Sequence, residues 1–219
     1  MLYCLFHWFV KITGYIPQRM VFRLKVHYED QAVQGRHIRS KAIVVSNHSN
    51  IWDVGVLMFV FWTRTLRCLA AELLYAKNFF MTSFLNLMGC IRVDRDHYDF
   101  SFIEKAKRIL DRGGIVEIYP ESRLPRPGEE RPLEFKTSYL HLALESGAPI
   151  IPVYSTGQIF AKAPLRVIIG KPIDVMALYD ASLSEKENIQ NINAYVRSKI
   201  IALGEELQQQ CREEKTPAV

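Results

Sequence analysis

Residues 42–53 read AIVVSNHSNIWD, an apolar run followed at once by polar residues. The run at residues 42–46 is rich in β-branched side chains and lacks polar alternation, which is typical of a strand buried on both faces of a sheet. His48 and Asp53 then lie five positions apart, where the strand gives way to a helix. The stretch therefore predicts a buried strand with titratable side chains just beyond its end.

Similar apolar runs recur along the chain and alternate with longer helical patterns, which favours an α/β fold. No internal repeat interrupts this alternation. The predicted strands are residues 42–46, 66–70, 90–93, 115–118, 150–154 and 166–169. We expect a mostly buried central sheet flanked by helices.

Two helices and one loop have clear sequence signals. Ser101 with Glu104 forms a capping-box pattern before a helix that should end at Gly113-Gly114. Apolar residues recur every three or four positions between residues 189 and 207, which predicts a long helix with one face on the protein body. Residues 120–132 contain four prolines and three arginines, so they should form a long loop.

Composition suits one globular unit with an anionic partner. The chain has 219 residues, 49% of them hydrophobic, and 28 Lys+Arg against 23 Asp+Glu give a net charge of +5. That charge fits lipid headgroups, nucleic acid or phosphorylated substrates. The cations are dispersed and no nucleic-acid recognition motif is present, so we expect no nucleic-acid partner. The four cysteines form no C-x-x-C pair, which predicts a reduced, cytosol-facing protein without a metal site.

The N-terminus is apolar and aromatic but too short to cross a bilayer, because Lys11 and later breakers interrupt it. It also lacks the charge order of a secretory signal. We predict that residues 1–28 are a membrane-associating segment at the cytoplasmic face of the membrane, peripheral or monotopic. Its aromatic side chains would lie in the acyl boundary, and Lys11 and the arginines would face phosphates. The alternative is a helix packed on its own domain. Residues 29–219 would form the main domain.

His48 and Asp53 are the first candidates for chemistry. An imidazole can take a proton from an alcohol near neutral pH, and a carboxylate on its second nitrogen fixes the tautomer. No G-x-S-x-G elbow supports a serine nucleophile. More polar residues follow other predicted strands: GCIRVDR at 89–95, IYPESR at 118–123 and FKTS at 135–138. Arginines at a strand end suit a phosphate clamp, although such a cluster can also be merely solvated.

The order of these blocks resembles the glycerolipid acyltransferase family, whose best-known members are the 1-acylglycerol-3-phosphate acyltransferases. The resemblance covers roughly residues 40–175 and runs through His-x-x-x-x-Asp, G-x-I-x-V-D-R, P-E-x-x-R with F-K, and A-P-I-I-P-V. It implies a single-domain glycerolipid acyltransferase fold of the α/β class. It also implies that His48 and Asp53 are catalytic, and that Arg95 and Glu121 occupy the family's Arg and Glu positions.

The implied reaction moves a fatty acyl group from acyl-CoA or acyl-carrier protein to the hydroxyl of lysophosphatidate at a membrane phospholipid surface. Arg95, Arg123 and Lys136 would bind the acceptor's phosphate, and Glu121 would hold its glycerol portion or organise those cations. The donor is a co-substrate, and neither a metal nor a prosthetic group is implied.

The third block departs from the family's F-P-E-G-T-R-S, because Ser122 replaces the Gly and Arg123 comes one position early. Ser138 replaces another usual Gly. These changes suggest an altered acceptor loop and leave other acceptors open: glycerol 3-phosphate, another lysophospholipid or a lipid alcohol. A non-catalytic lipid-binding relative is a further alternative. The apolar residues 54–62 are either a core helix or the lining of an acyl channel.

Overall fold

The computed structural model describes residues 2–94, 101–129 and 131–214. Within these residues, seven strands form one sheet in the order β1-β7-β6-β2-β5-β3-β4. Strands β6 and β7 pair antiparallel, and the other neighbours are parallel. The strands are β1 (Lys25–Tyr28), β2 (Ala42–Ser46), β3 (Leu66–Ala71), β4 (Ile91–Val93), β5 (Ile115–Ile118), β6 (Ile150–Ser155) and β7 (Arg166–Ile169).

All six predicted strands are present, and β1 is an additional one. Its sequence, KVHY, is short and half polar, so periodicity does not distinguish it from a loop. It lies at the sheet edge, where Lys25 pairs with Arg166 of β7. The segment predicted at residues 1–28 thus ends in a strand of the sheet, and its separation from the main domain stays a prediction.

The helices fill the gaps between strands. They are α1 (Leu2–Val21), α2 (Asp53–Val60), α3 (Glu72–Tyr75), α4 (Phe79–Met88), α5 (Ser101–Asp111), α6 (Ser138–Ser146) and α7 (Glu185–Glu213). Helices α5 and α7 confirm the two helices predicted from caps and periodicity. Residues 120–129 and 131–132 contain no helix or strand, as expected of the proline-rich loop.

The central strands are buried on both faces, and the chain pleat divides their side chains between two cores. Ile43 and Val45 of β2 pack in the core beneath α5, α6 and α7, whereas Val44 packs with α2 on the other face. Phe61 and most of α2 are buried in this second core. Residues 54–62 therefore contribute to the core, as the first of their two interpretations predicted.

Helix α1 turns two of its polar side chains inward. His7 and Lys11 are buried, and the Lys11 Nζ donates to the carbonyl oxygens of Phe61 at 3.1 Å, Trp62 at 2.9 Å and Arg64 at 2.5 Å. These carbonyls lie just beyond the C-terminal end of α2, where the helical hydrogen-bond pattern stops. The expectation that Lys11 faces phosphates is therefore wrong. Burial lowers the pKa of Lys11 to about 8.

The outer face of α1 carries an exposed apolar stripe. Its members recur every three or four residues and are Leu2, Leu5, Phe9, Ile12, Ile16 and Met20. A helix exposed to water normally has the opposite arrangement. Across the described ranges, no helix combines the length and the hydropathy needed to cross a membrane.

The Lys11 contacts generate a stability prediction. Replacing Lys11 with Met keeps the length of the side chain but removes the donor that three carbonyl oxygens share, and the one of Phe61 retains the Arg64 N–H at 3.2 Å. We expect the free energy of unfolding to fall by about 2 kcal/mol. Urea unfolding in detergent measures this, with the exposed Lys77→Met as the matched control. Equal unfolding midpoints for the two variants would contradict the anchoring role of Lys11.

Candidate active site

The site is built around His48 and Asp53, in the loop between β2 and α2. One oxygen of Asp53, Oδ2, accepts hydrogen bonds from His48 Nδ1 at 3.0 Å and from the backbone N–H groups of Ser49 at 2.7 Å and Asn50 at 2.8 Å. Asp53 opens α2, where the helix dipole favours a carboxylate. It is only 1% exposed, so its position is fixed by the core. The predicted pair is thus brought together.

The hydrogen bond to Asp53 assigns the tautomer of His48. With Nδ1 donating, Nε2 is left with a lone pair and has no hydrogen-bond partner in the described parts of the chain. The side chain of His48 is 19% exposed, so a substrate can reach it from solvent. This arrangement can remove a proton from an alcohol.

Asn47 holds the loop against β6. Its Oδ1 accepts from the Ser155 backbone N–H at 2.8 Å, and its Nδ2 donates to the Ser155 carbonyl oxygen and to Ser49 Oγ, each at 2.9 Å. Gly157 permits this approach, because a Cβ there would lie 2.3 Å from that of Ser49. Sequence reasoning missed Asn47, although a buried amide directly after a strand is a usable signal.

The side chain of Glu121 contacts the backbone of the catalytic loop. Its Oε1 accepts from the His48 N–H at 2.7 Å, and its Oε2 accepts from the Leu133 N–H at 2.8 Å. The side chain is 5% exposed, and burial raises its pKa. Both oxygens are therefore already bonded, and Glu121 joins the His48 loop to the far end of the proline-rich loop.

The predicted phosphate-binding residues are more dispersed. Arg123 is exposed and makes a two-pronged ion pair with Glu129, at 2.7 and 2.9 Å. This pair lowers the pKa of Glu129 to about 2. Lys136 is exposed, and no side-chain partner is found for it among the described residues. Arg95 lies outside the described residues.

Ser122 stands where the family's motif has glycine, in a backbone conformation that favours glycine. Its φ is +63°, in the left-handed region where glycine is favoured. The serine therefore costs about 1 kcal/mol in backbone strain at this position. Two residues before Ser122, the Pro120 carbonyl oxygen accepts from the Lys136 N–H at 2.9 Å. This bond brings the P-E-x-x-R and F-K parts of the third block together.

A buried pair that sequence reasoning missed lies beside the imidazole. The ring of Tyr119 stacks on that of His48, with centroids 4.5 Å apart and an interplanar angle of 30°. The Tyr119 hydroxyl donates to Glu117 Oε1 at 2.5 Å. Burial raises the pKa of Glu117 well above its usual range. The available signal was a single carboxylate within an otherwise apolar strand.

Known proteins are similar to this chain in sequence. A model of the Acyltransferase family matches residues 23–156. A 1-acyl-sn-glycerol-3-phosphate acyltransferase from Haemophilus influenzae is 28% identical over 197 residues, covering 85% of this chain and 79% of that protein. One from Limnanthes alba is 27% identical over 172 residues, covering 75% of this chain and 59% of that protein. The chain thus spans little more than half of some relatives.

The fold is also found in a solved structure. The crystal structure of the 1-acyl-sn-glycerophosphate (LPA) acyltransferase PlsC from Thermotoga maritima superposes with a TM-score of 0.63 at 19% identity. The superposition covers 92% of this chain and 79% of that one. Because the family match takes in more than half of the sequence, including His48, Asp53 and Glu121, this chain belongs to the acyltransferase family.

Proposed function

We propose that this protein is an O-acyltransferase that moves a fatty acyl group from acyl-CoA or acyl-carrier protein to the hydroxyl of lysophosphatidate. The observation that carries the proposal is the His48 Nδ1 to Asp53 Oδ2 hydrogen bond of 3.0 Å, with Nε2 accessible. The names of the relatives support the reaction and the acceptor. They do not bear on the choice of donor, which rests on the chemistry of activated thioesters.

In the proposed reaction, His48 Nε2 takes the proton from the acceptor hydroxyl as its oxygen attacks the thioester carbonyl carbon. The carbon–sulfur bond then breaks, and the imidazolium returns the proton to the leaving thiolate. Asp53 stabilises the imidazolium between these steps, since its Oδ2 lies against Nδ1. The protein supplies no nucleophile of its own, so no acyl-enzyme forms. No metal or prosthetic group is needed.

The acceptor's phosphate is assigned to the cations of the second and third blocks. Lys136 is exposed, and its backbone N–H is bonded to Pro120, next to Glu121. Arg123 could contribute once a phosphate competes with Glu129, because both present oxygens to the same guanidinium. Arg95 would complete the set. Because Arg123 is already paired with Glu129, an acceptor other than lysophosphatidate is a second candidate.

We also propose that the protein rests on the cytoplasmic face of a membrane through α1 and α4. The apolar stripe of α1 faces outward, with Leu5, Phe9 and Ile16 each more than half exposed. Helix α4 contacts α1 through Phe84 and Phe6, whose ring centroids are 6.0 Å apart, and it adds Phe79 and Phe80, which are 80% and 83% exposed. An outward apolar face of this kind binds the boundary between headgroups and acyl chains. A lipid acceptor would then reach the site from the membrane phospholipid surface.

The reaction is tested by offering labelled acyl-CoA and acyl-carrier protein with a panel of acceptors. We expect transfer to lysophosphatidate, and a loss in kcat of about 10²–10⁴-fold in His48→Ala, because the general base is gone. The exposed His37→Ala is the control and should keep its activity. Equal rates for His48→Ala and wild type, both folded, would exclude the mechanism. Transfer only to another acceptor would correct the substrate.

The phosphate role of Lys136 is tested with Lys136→Met. We expect KM for lysophosphatidate to rise about tenfold, with little change in kcat, because one charged contact to the phosphate is lost. Lys77→Met, also on the surface, controls for the loss of a charge. A similar rise in KM for an acceptor that lacks phosphate would show that Lys136 does not bind that group.

Membrane association is tested by flotation with vesicles of phosphatidylcholine and phosphatidylglycerol. The double variant Phe9→Asp/Ile16→Asp puts two charges on the exposed stripe of α1, and we expect the bound fraction to fall about tenfold. Val33→Asp, at an exposed apolar residue outside α1 and α4, is the control. Unchanged flotation of the double variant would rule out α1 as the contact.

A further inference from the structure

Three residues in β5 and just beyond its end lie beside the catalytic loop. Glu117 lies in β5, Tyr119 directly follows its end, and Glu121 lies in the turn closed by the Ser122 N–H and the Tyr119 carbonyl oxygen at 3.0 Å. Glu121 bonds the backbone N–H of His48 at 2.7 Å, and Tyr119 stacks on its ring. Glu117 bonds the Tyr119 hydroxyl at 2.5 Å. Glu121 and Tyr119 thus support His48 at two points, and the buried Glu117 in turn bonds Tyr119.

Glu117 is an unusual occupant of its position. It lies in β5, the strand between β2 and β3, with Val44 and Cys68 as its neighbours in register. It is 1% exposed, and an apolar residue would fill this place without the cost of desolvating a carboxyl group. The Tyr119 hydroxyl provides its hydrogen bond, so the two residues form a unit rather than two separate features.

The imidazole of His48 gains a constraint from Tyr119 that Asp53 alone does not provide. One hydrogen bond at Nδ1 holds that nitrogen, but the ring can still rock about the Nδ1 to Oδ2 axis. A ring stacked at 4.5 Å restricts this rocking and therefore the direction of the Nε2 lone pair. General base catalysis depends on that direction, because the acceptor's proton must lie in line with it.

We propose that Tyr119 is a positioning residue for His48 and that Glu117 holds Tyr119 in place through its hydroxyl. The role deepens the proposed acyl transfer and rests on it for its kinetic consequences. The structural part of the proposal, the stacking of Tyr119 on His48, can be tested without any substrate.

The kinetic test separates the ring from the hydroxyl. Tyr119→Leu removes the ring and should lower kcat about tenfold at unchanged KM. Tyr119→Phe and Glu117→Leu each remove the hydrogen bond between the two side chains and should lower kcat. The kcat of the double variant should be no lower than that of the less active single variant. Glu117→Gln keeps an acceptor for the phenol and should restore most of the activity that Glu117→Leu loses.

The spectroscopic test follows the ring protons of His48 by NMR with labelled histidine, the signal being identified by its loss in His48→Gln. Stacking on Tyr119 should move this signal upfield, and Tyr119→Leu should remove that displacement. Tyr139→Phe is the matched control: it removes another buried hydroxyl, which donates to Asn193 at 2.9 Å, and should leave the His48 signal unchanged.

A wild-type signal for His48 in Tyr119→Leu, or a wild-type kcat per folded molecule, would overturn the positioning role. Equal losses in Glu117→Gln and Glu117→Leu would overturn the role of Glu117 as a hydrogen-bond acceptor. If the variants of Tyr119 and Glu117 only had lower unfolding midpoints, with the His48 signal and kcat unchanged, the two residues would have a purely structural role. That outcome would also refute the proposal. If wild type transfers no acyl group at all, the proposed function fails while the NMR arm still decides the stacking.

Discussion

A single carboxylate oxygen organises this site. Asp53 Oδ2 gathers three donors, the imidazole of His48 and the backbone N–H groups of Ser49 and Asn50, so the loop after β2 is folded around one negative charge. Bonds to an ionised acceptor are about twice as strong as neutral ones. Because Asp53 begins a helix that is buried almost throughout, the core fixes where this oxygen lies. The geometry of the base is therefore a consequence of how α2 packs.

Much of the fold and the centre of the site could be predicted from local patterns. The buried strands are continuous apolar runs, and α5 and α7 carry their boundaries and stripes in the sequence. His48 and Asp53 were identifiable because they follow a predicted strand and match the family's His-x-x-x-x-Asp motif. Glu121 was predicted as a further site residue, and its side chain lies beside them, bonded to two backbone N–H groups.

The rest depends on contacts between residues that are distant or irregular in sequence. Glu117 was hidden within an apolar strand, and only the register that sets β5 between β2 and β3 shows that its carboxyl group is buried beside Tyr119. Lys11 meets carbonyl oxygens some fifty residues later, which no periodicity reveals. Arg123 finds Glu129 within a loop, where no regular spacing predicts which cation is engaged.

The hydrogen bonds of Lys11 just beyond the end of α2 have a geometric consequence. Helix α2 has Asp53 at its beginning and the Lys11 contacts just beyond its end, so it acts as a strut of about 12 Å between α1 and the catalytic loop. If α1 rests on a monolayer as proposed, the packing of α2 against α1 helps to fix the distance between the imidazole and the lipid. The protein would then select acceptors by the distance of their hydroxyl groups from the acyl chains of the monolayer, as well as by their shape.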